Sequence, residues 1–474
     1  MPETHEYDVI VIGAGAVGEN AADRVVKAGR TVALVESDLI GGECSYWACM
    51  PSKALLRATE ILAEAQAVPG AAEAVAGEQD VDKTLERRSG FTSNWSDEGQ
   101  AAWVAGAGID LFRGTGRLAG PKRVEVAGKD GTAITLTARH AVVASTGSHA
   151  MLPPIEGLAQ ARPWTSREAT SAKAPPRRLV VIGGGVVAVE MATAWRGLGS
   201  EVVMLARGPR LLATLEPFAG ELVAAGLRDL GVDLRTEVEV DRVTRDGDAV
   251  TVQFGNETVD GDEVLVATGR TAGTSDLGLE TIGLNPGDSL EVDDTCRVTG
   301  VDGGWLYATG DVNGRRLLTH MGKYQARACG SAIAARARGE AVDGGAWQLT
   351  SATADHGATP SVVFSNPTVA SVGRTEEEAR QQGRNVRAVS YEIGNVAGAS
   401  LYADDYSGTA KIVVDEDTRI LIGATFVGPG VQELLHSATV AIVGEVTIDR
   451  LWHAVPSYPT ISEVWLRLLE TYGL

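Results

Sequence analysis

Two of the four cysteines of this 474-residue chain lie five positions apart, in the segment GGECSYWACMPSK over residues 41–53. Cys44 and Cys49 could form a structural bridge, supply half of a metal site, or form a redox disulfide that opens and closes. In a regular helix their Cα atoms would be roughly 8–9 Å apart, whereas a disulfide needs about 7 Å or less. A bridge therefore requires a broken helix, which the Gly41-Gly42 pair and Pro51 would favour.

The other two cysteines do not help to build a metal site. Cys296 and Cys329 are isolated in the sequence, and zinc needs four ligands. We therefore expect no metal site. A strained bridge over a short loop in a reducing compartment is more typical of a disulfide that reacts than of one that stabilises a fold.

Composition argues against several classes of partner. The chain has 42 Lys and Arg against 62 Asp and Glu, a formal net charge of −20, without a local basic patch. We expect no nucleic-acid partner and no membrane partner. There is no run of about 18 apolar residues, and the first residues are acidic where a signal peptide would be basic. We predict a cytoplasmic protein, a setting in which paired cysteines are more often catalytic or metal-binding than structural.

A glycine-rich turn near the start of the chain predicts a dinucleotide site. The apolar run YDVIVI is typical of a buried strand, and GAGAVG follows it with Gly13, Gly15 and Gly18. A helical pattern and a second strand come next and end at Glu36, 23 residues after Gly13. In this pattern the glycines let a pyrophosphate approach a helix N-terminus, and the acid binds a ribose diol.

The same pattern returns about 170 residues later, after the strand RLVVI. Gly183 and Gly185 repeat the first two glycines, and Ala188 replaces the third. The residues after the second strand also differ, because Ala206 stands where the acid should be and Arg207 follows it.

Two arginines after this strand, Arg207 and Arg210, indicate which nicotinamide nucleotide binds. A carboxylate would repel a 2′-phosphate, whereas Arg207 and Arg210 can bind one. We therefore predict NADPH at the second site, with NADH as the alternative. FAD at the first site fits the ribose-binding acid and links the nicotinamide to the cysteines.

The cysteine segment resembles the G-G-x-C-x4-C-x-P-S-K motif of the flavoprotein disulfide reductases, the class I pyridine nucleotide-disulfide oxidoreductases. Other stretches are similar to motifs of the same family, namely GAGAVG, GGGVVAVE, ATGR, YATGDV, LTHMGKYQAR and PSYPTISE. The resemblance implies an α/β fold with two Rossmann-like domains and an α+β C-terminal dimerisation domain. It also implies a homodimer with shared active sites. We predict an FAD-binding domain (1–153 and 275–345), an NAD(P)H-binding domain (154–274) and an interface domain (355–474).

The resemblance also implies roles for single residues. Cys49 would form a charge-transfer pair with the flavin, and Cys44 would be the interchange thiol that faces the substrate. Lys53 and Glu190 would pair near flavin N5, and Asp311 would hold the ribityl chain.

Further positions complete the predicted cofactor sites. The helix that begins near His320 would direct its N-terminus at the flavin pyrimidine edge, where reduction places negative charge. The remaining predicted contacts are Gly42, Thr146 and Gly147 for FAD and Gly269 for NADPH.

The C-terminal motif departs from the family pattern. Members usually carry H-P-T-x-S-E, whose histidine takes and returns the proton of the interchange thiol, but Tyr458 occupies that position here. A phenol, with an ordinary pKa of about 10, is a poor base at neutral pH, although it can donate a proton. Glu463, the usual partner of the histidine, is retained. His453 is an alternative proton carrier.

The acceptor is not readable from the sequence. Tyr458 and the stretch Leu205-Ala206-Arg207 are more similar to mercuric reductase than to the lipoamide or glutathione enzymes, but the vicinal C-terminal cysteines of mercuric reductase are missing. Tyr46 and Trp47 could narrow access to the cysteines, offer a stacking face to a quinone, or pack in an interface.

We predict an enzyme that passes electrons from NADPH through FAD to the cysteine pair and then to a small thiol, disulfide, metal ion or other electrophile. The alternatives are a quinone reductase, a mercuric-ion reductase, a dihydrolipoamide dehydrogenase-like enzyme and, in another class, a redox-sensing flavoprotein.

Overall fold

The computed structural model describes residues 3–474, which fall into two compact units. Unit 1 comprises residues up to 50 together with 89–151 and 270–355, and unit 2 comprises 51–88, 152–269 and 356–474.

The helices are α1 (Ala16–Lys27), α2 (Gly42–Tyr46), α3 (Cys49–Gln66), α4 (Val81–Phe91), α5 (Glu98–Gly106), α6 (Ser166–Ser171), α7 (Val186–Gly197), α8 (Pro217–Asp229), α9 (Thr319–Ala337), α10 (Glu376–Gln381), α11 (Ala397–Tyr402), α12 (Leu435–Val443), α13 (Ile448–Leu451) and α14 (Val464–Tyr472). The strands are β1 (Glu3–Ile12), β2 (Val32–Glu36), β3 (Asp110–Arg113), β4 (Thr115–Leu118), β5 (Arg123–Ala127), β6 (Ala133–Ala144), β7 (Ser148–Ala150), β8 (Arg178–Ile182), β9 (Glu201–Leu205), β10 (Asp233–Arg235), β11 (Arg242–Asp246), β12 (Ala249–Phe254), β13 (Glu257–Gly261), β14 (Glu263–Val266), β15 (Arg270–Ala272), β16 (Leu306–Ala308), β17 (Pro360–Val363), β18 (Val369–Gly373), β19 (Val386–Glu392), β20 (Thr409–Asp415) and β21 (Ile420–Val427).

Unit 1 is built on a seven-stranded sheet in the order β3-β2-β1-β6-β5-β4, with β16 paired to the end of β6. Strands β1, β2, β3, β6 and β16 run parallel, and β4, β5 and β6 form an antiparallel meander. Val9 and Val11 of β1 face one buried core, and Ile10 and Ile12 face the other. Because both faces are covered, the strand reads as a continuous apolar run.

Unit 2 contains a parallel sheet and two antiparallel sheets. The parallel sheet has the order β10-β9-β8-β14, the smaller antiparallel sheet is β11-β12-β13, and the C-terminal sheet has the order β17-β18-β21-β20-β19. Helices α12 and α14 cover the C-terminal sheet, whose buried side chains form their own core. The mixed sheet of unit 1 and the parallel sheet of unit 2 each carry one of the two glycine turns, after β1 and after β8 respectively.

The predicted α/β fold with two dinucleotide-binding halves and a C-terminal interface domain is confirmed. The proposed domain boundaries stay a prediction. Across residues 3–474, no helix is both long and apolar enough to cross a membrane.

Candidate active site

The two cysteines lie on consecutive helices. Cys44 is within α2, Cys49 begins α3, and Trp47 between them has non-helical backbone angles of φ −138° and ψ 5°. The expected break in the helix is therefore present. Gly41, in the left-handed region with φ 107°, starts this segment. Both cysteines are half-buried thiols.

The two thiols interact with each other and with helix α9. The hydrogen bond to Cys49, together with burial, raises the pKa of Cys44 well above its usual range. Thr319, the first residue of α9, places Oγ1 3.3 Å from the Sγ of Cys49. Its hydroxyl and the Lys323 ammonium partly offset the rise in the Cys44 pKa. Sequence reasoning gave Thr319 no role, because no spacing rule relates it to Cys49, 270 positions earlier.

Tyr46 corrects one expectation. Its side chain is fully buried, its hydroxyl donates to the Ser96 carbonyl over 3.2 Å, and its ring contacts that of Trp47. Trp95 Nε1 in turn donates to the Tyr46 carbonyl. A buried ring cannot offer a stacking face to a quinone, and Tyr46 packs within its own chain.

The first glycine turn forms a cradle at the end of β1. Gly13 has φ 97°, and a Cβ there would collide with the carbonyl oxygen of Ser145. A Cβ on Gly15, the residue before α1, would meet only the Cα of Gly42, at 4.0 Å, and no side chain caps this helix. The free N–H groups of the first turn therefore suit an anion such as a pyrophosphate. Gly18 packs against Gly13, and Gly42 packs against Gly15.

Two further residues at this cradle fit a dinucleotide. Glu36 is buried at the end of β2, accepts hydrogen bonds from the N–H groups of Ala14 and Asp38 (both 2.7 Å), and has its pKa raised by burial. Thr146 lies next to Gly13 and carries a buried hydroxyl without a hydrogen-bond partner in residues 3–474. Gly147 follows with φ 66°. An unpartnered buried hydroxyl beside an anion cradle fits a bound dinucleotide, which would supply its hydrogen-bond partner.

Asp311 is held from one side. Its Oδ2 accepts a 2.6 Å hydrogen bond from Ser148 Oγ, which accepts one of equal length from Arg270 Nε. The other face of the carboxylate is left available. Helix α9 begins nearby in the chain without a side-chain cap, and His320, its second residue, is exposed.

Unit 2 repeats the cradle. Gly183 has φ 141°, and a Cβ there would collide with the carbonyl oxygen of Ala267. Gly185 has open space and precedes the uncapped helix α7, and Ala188 is fully buried in that helix. Gly269 has φ 152° and closes the loop after β14.

The two arginines differ in their surroundings. Ala206 is buried against the glycine turn at the end of β9, and Arg207 after it is exposed. No carboxylate of the described chain lies within ion-pair distance of Arg207. Arg210 donates to the Ala213 carbonyl over 3.3 Å and lies 4.0 Å from Glu377. Arg207 is therefore the freer cation.

Lys53 and Glu190 form the expected pair. Lys53 Nζ lies 2.7 Å from Glu190 Oε2, and the other carboxylate oxygen accepts a 3.1 Å hydrogen bond from the Phe364 N–H. The ammonium also lies 5.0 Å from the centre of the Phe364 ring. Lys53 stands one helical turn after Cys49 on α3. The role of Phe364 was not predicted, since nothing local in the sequence connects it to Lys53.

The residues of the C-terminal motif differ in burial and in their hydrogen bonds. Tyr458 is 76% exposed, and His453 is also exposed. Glu463 is buried; its Oε1 accepts a 2.8 Å hydrogen bond from Arg467, and its Oε2 has no hydrogen-bond partner within residues 3–474.

Comparisons with known proteins agree with this geometry. Residues 7–339 match the family model described as pyridine nucleotide-disulphide oxidoreductase, and residues 359–468 match the model of its dimerisation domain. The chain belongs to the pyridine nucleotide-disulphide oxidoreductase family, whose members are enzymes that contain FAD and use a pyridine nucleotide. The dimerisation domain supports a homodimer.

Its relatives include enzymes with different acceptors. The chain is 31% identical to a mercuric reductase of Staphylococcus aureus, over 97% of this chain and 81% of that protein. It is equally identical to a dihydrolipoyl dehydrogenase of Bacillus subtilis, over 98% and 96% of the two chains. Among solved structures, the flavoprotein disulfide reductase RclA of Escherichia coli, in a Cu(II) complex, superimposes with a TM-score of 0.83 at 24% identity, over 98% and 99% of the chains. At that identity the likeness concerns the fold.

Proposed function

We propose that this enzyme passes electrons from NADPH through FAD to the Cys44–Cys49 pair and from there to a thiophilic metal ion. The observation that carries the proposal is a pair of half-buried thiols in the same unit as a dinucleotide cradle, with Cys49 touching the first residue of the uncapped helix α9. Bound FAD would supply the two-electron chemistry that links the nicotinamide to the disulfide.

The first cradle supports FAD. The backbone of the turn at Gly13, Gly15 and Gly18 would hold the pyrophosphate, and Glu36 would accept hydrogen bonds from the adenosine ribose. Asp311, with one face free, would bind the ribityl chain. The N-terminus of α9 would stabilise negative charge on the reduced ring.

The second cradle supports NADPH. Ala206 places no carboxylate at this position to repel a 2′-phosphate, and exposed Arg207 offers the phosphate an uncommitted guanidinium. Lys53, which is held in an ion pair by Glu190, would supply a positive charge one helical turn after Cys49 on α3.

The surroundings of Cys44 favour a metal acceptor. To attack a disulfide, the Cys44 thiol must lose a proton although its pKa is raised, and Tyr458 is a poor base for that step. A thiophilic metal ion needs no such base, because a coordinating thiol is deprotonated by the metal. For Hg²⁺ the balance is Hg²⁺ + NADPH → Hg⁰ + NADP⁺ + H⁺. Similarity to two mercuric reductases at 31% identity supports this class of acceptor.

A disulfide acceptor is the second candidate. Glu463 is retained and buried, and dihydrolipoyl dehydrogenases are as similar to the chain as mercuric reductases are. We further propose that the homodimer shares its active sites, so that Tyr458 of one subunit serves Cys44 of the other. We also propose a cytoplasmic location, since in a reducing compartment paired cysteines are more often catalytic than structural.

The first test is an anaerobic NADPH titration of the purified protein, followed by absorbance. A long-wavelength charge-transfer band after two-electron reduction would support electron transfer to the cysteine pair. Bleaching of the flavin without that band would contradict it. The same titration with NADH measures the nucleotide preference.

The acceptor is tested by turnover with Hg²⁺, lipoamide and a quinone, using the wild type and Cys44→Ser. We expect Hg²⁺-dependent NADPH oxidation that the variant loses. Lipoamide turnover well above Hg²⁺ turnover would favour the second candidate, and quinone turnover that survives in Cys44→Ser would exclude a role for the pair. No turnover with any acceptor would favour a redox sensor.

A further inference from the structure

One side chain on helix α9 connects the turn at Asp311 to Asp355, the last residue of unit 1 in the sequence. Gln325 is fully buried. Its Oε1 accepts two hydrogen bonds of 2.9 Å, from the N–H of Gly310 and from Nδ2 of Asn313. Its Nε2 donates to Asp355 Oδ2, also over 2.9 Å. Since the oxygen must face the two donors and the amide nitrogen must face the carboxylate, the orientation of this carboxamide is fixed by chemistry.

The two groups that Gln325 holds flank Asp311. Gly310 precedes it with φ 81°, and Asn313 ends the short 3₁₀ turn that Asp311 begins. Asn313 Nδ2 is also within 3.2 Å of the Ala308 carbonyl. Gln325 therefore fixes the backbone before Asp311 and the Asn313 side chain after it, and Ser148 holds the Asp311 side chain.

The other end of the connection is held by charge. Asp355 is 3% exposed, and Arg315 Nη1 lies 3.6 Å from its Oδ2. Arg315 Nη2 also donates to the Val292 carbonyl over 2.8 Å and to Asp294 Oδ1 over 3.1 Å. The acceptor for Gln325 Nε2 thus has little freedom to move. Arg316 Nε also donates to the Asp355 carbonyl over 2.8 Å. The titratable and charged groups around the pair are Arg315, Arg316, Asp293, Asp294, Cys296, Tyr324 and Cys329.

We propose that Gln325 and Asp355 are positioning residues for FAD binding, which act by holding Asp311 in place and do not themselves touch the cofactor. The inference rests on the proposed function, because it takes FAD as the ligand of this unit. It predicts that the donor and acceptor order of the pair, and not its bulk, determines the affinity for FAD.

Gln325→Glu is the sharpest test. The new carboxylate still accepts from Gly310 and Asn313 but offers Asp355 no donor. Two carboxylates at hydrogen-bond distance cannot both be ionised, so one must take up a proton. We expect the dissociation constant for FAD, measured by the fluorescence of released flavin, to rise about tenfold or more at pH 8. The loss of FAD affinity should become smaller as the pH is lowered towards 5, whereas the FAD affinity of the wild type should change little over that range.

The double variant Gln325→Glu with Asp355→Asn restores a matched pair with the donor and acceptor exchanged. Its affinity for FAD at pH 8 should exceed that of Gln325→Glu and lose its pH dependence. Asp355→Asn alone keeps an acceptor for Gln325, so it should weaken binding only several-fold at every pH. It also tests the proposal if Gln325→Glu fails to fold, because unchanged binding in Asp355→Asn would then contradict it.

Tyr324→Phe is the matched control. Tyr324 precedes Gln325 on α9, and its hydroxyl contacts the Ser351 carbonyl and the Ala354 N–H near Asp355, without reaching the Asp311 turn. This variant should lower thermal stability and leave FAD affinity unchanged. If Gln325→Glu behaves in the same way, the residue is structural only and the inference is wrong. A wild type that binds no FAD would instead refute the proposed function.

Discussion

The Oγ1 of Thr319 lies 3.3 Å from the Sγ of Cys49, so the first residue of α9 meets the first residue of α3. A hydroxyl in this position can donate to a thiolate, and hydrogen bonds to charged groups are stronger than those between neutral groups. The contact identifies Thr319 as the group that would stabilise Cys49 after reduction of the pair.

Thr319→Val should remove that hydrogen bond while keeping the branched shape. We expect the charge-transfer band of the two-electron-reduced enzyme to need a higher pH, by about one unit, to reach half its height. Thr319→Ser keeps the hydroxyl and should retain the wild-type profile. Matching shifts in both variants would mean that packing, and not the hydrogen bond, is responsible.

Glu190→Gln isolates the ion pair with Lys53. The amide can still accept the Phe364 N–H, but it leaves the half-buried ammonium without its carboxylate. Because Glu190 is 5% exposed and Lys53 34% exposed, the free energy of unfolding should fall by roughly 1–3 kcal/mol, less than for a fully buried pair. Denaturant unfolding of the holoenzyme measures this. Glu280→Gln, which breaks an exposed pair with Arg117, is the control and should cost less than about 0.5 kcal/mol.

The sequence predicted those parts of the site that depend on local spacing. These parts are the cysteine pair, both glycine turns and the helix break at Trp47. Each depends on residues a few positions apart, whose steric preferences restrict the local backbone to one conformation. The Lys53–Glu190 pair spans 137 positions and came only from a resemblance.

Other parts depend on the tertiary fold alone. Thr319 meets Cys49 because the fold of unit 1 brings these two residues together across 270 positions, and no pattern in either segment encodes that meeting. The sequence left the role of Tyr46 beside the cysteines open, and it is Trp95 and Ser96, about 50 positions later, that enclose its side chain. An aromatic next to a reactive group can face either way, and only packing decides which.

Arg207→Ala should test the nucleotide preference. If Arg207 binds the 2′-phosphate, the variant should raise KM for NADPH tenfold or more and leave KM for NADH nearly unchanged, as measured by steady-state kinetics. Arg210→Ala should have a smaller effect, since Arg210 already donates to Ala213 and lies near Glu377. Equal losses with both nucleotides would contradict a role in reading the phosphate.

Glu19 predicts a pH dependence of stability. Burial raises its pKa to about 7; the Lys323 ammonium opposes the rise, and Glu36 adds to it. A carboxyl whose pKa is higher in the folded state stabilises the fold while protonated, and that stability is lost as the pH rises from about 4.5 to about 7. Glu19→Gln removes this loss, so its unfolding temperature relative to wild type should increase between pH 5 and pH 8. The corresponding gain in the free energy of unfolding is at most about 3 kcal/mol. A difference that is constant with pH would show that Glu19 ionises normally.

Tyr458→His tests why Glu463 has an unsatisfied oxygen. Glu463 Oε2 is buried without a hydrogen-bond partner in the described chain, and Tyr458, five residues earlier, is exposed and does not reach it. A histidine could donate to that oxygen and keep its other nitrogen free as a base. We expect Tyr458→His to raise kcat/KM for lipoamide reduction by a factor of about 10² or more while leaving Hg²⁺ reduction within a few-fold of wild type. Tyr458→Phe, which removes only the hydroxyl, should leave lipoamide reduction low. If both variants lower Hg²⁺ reduction strongly, the phenol itself handles the proton, and the metal ion does not release it unaided.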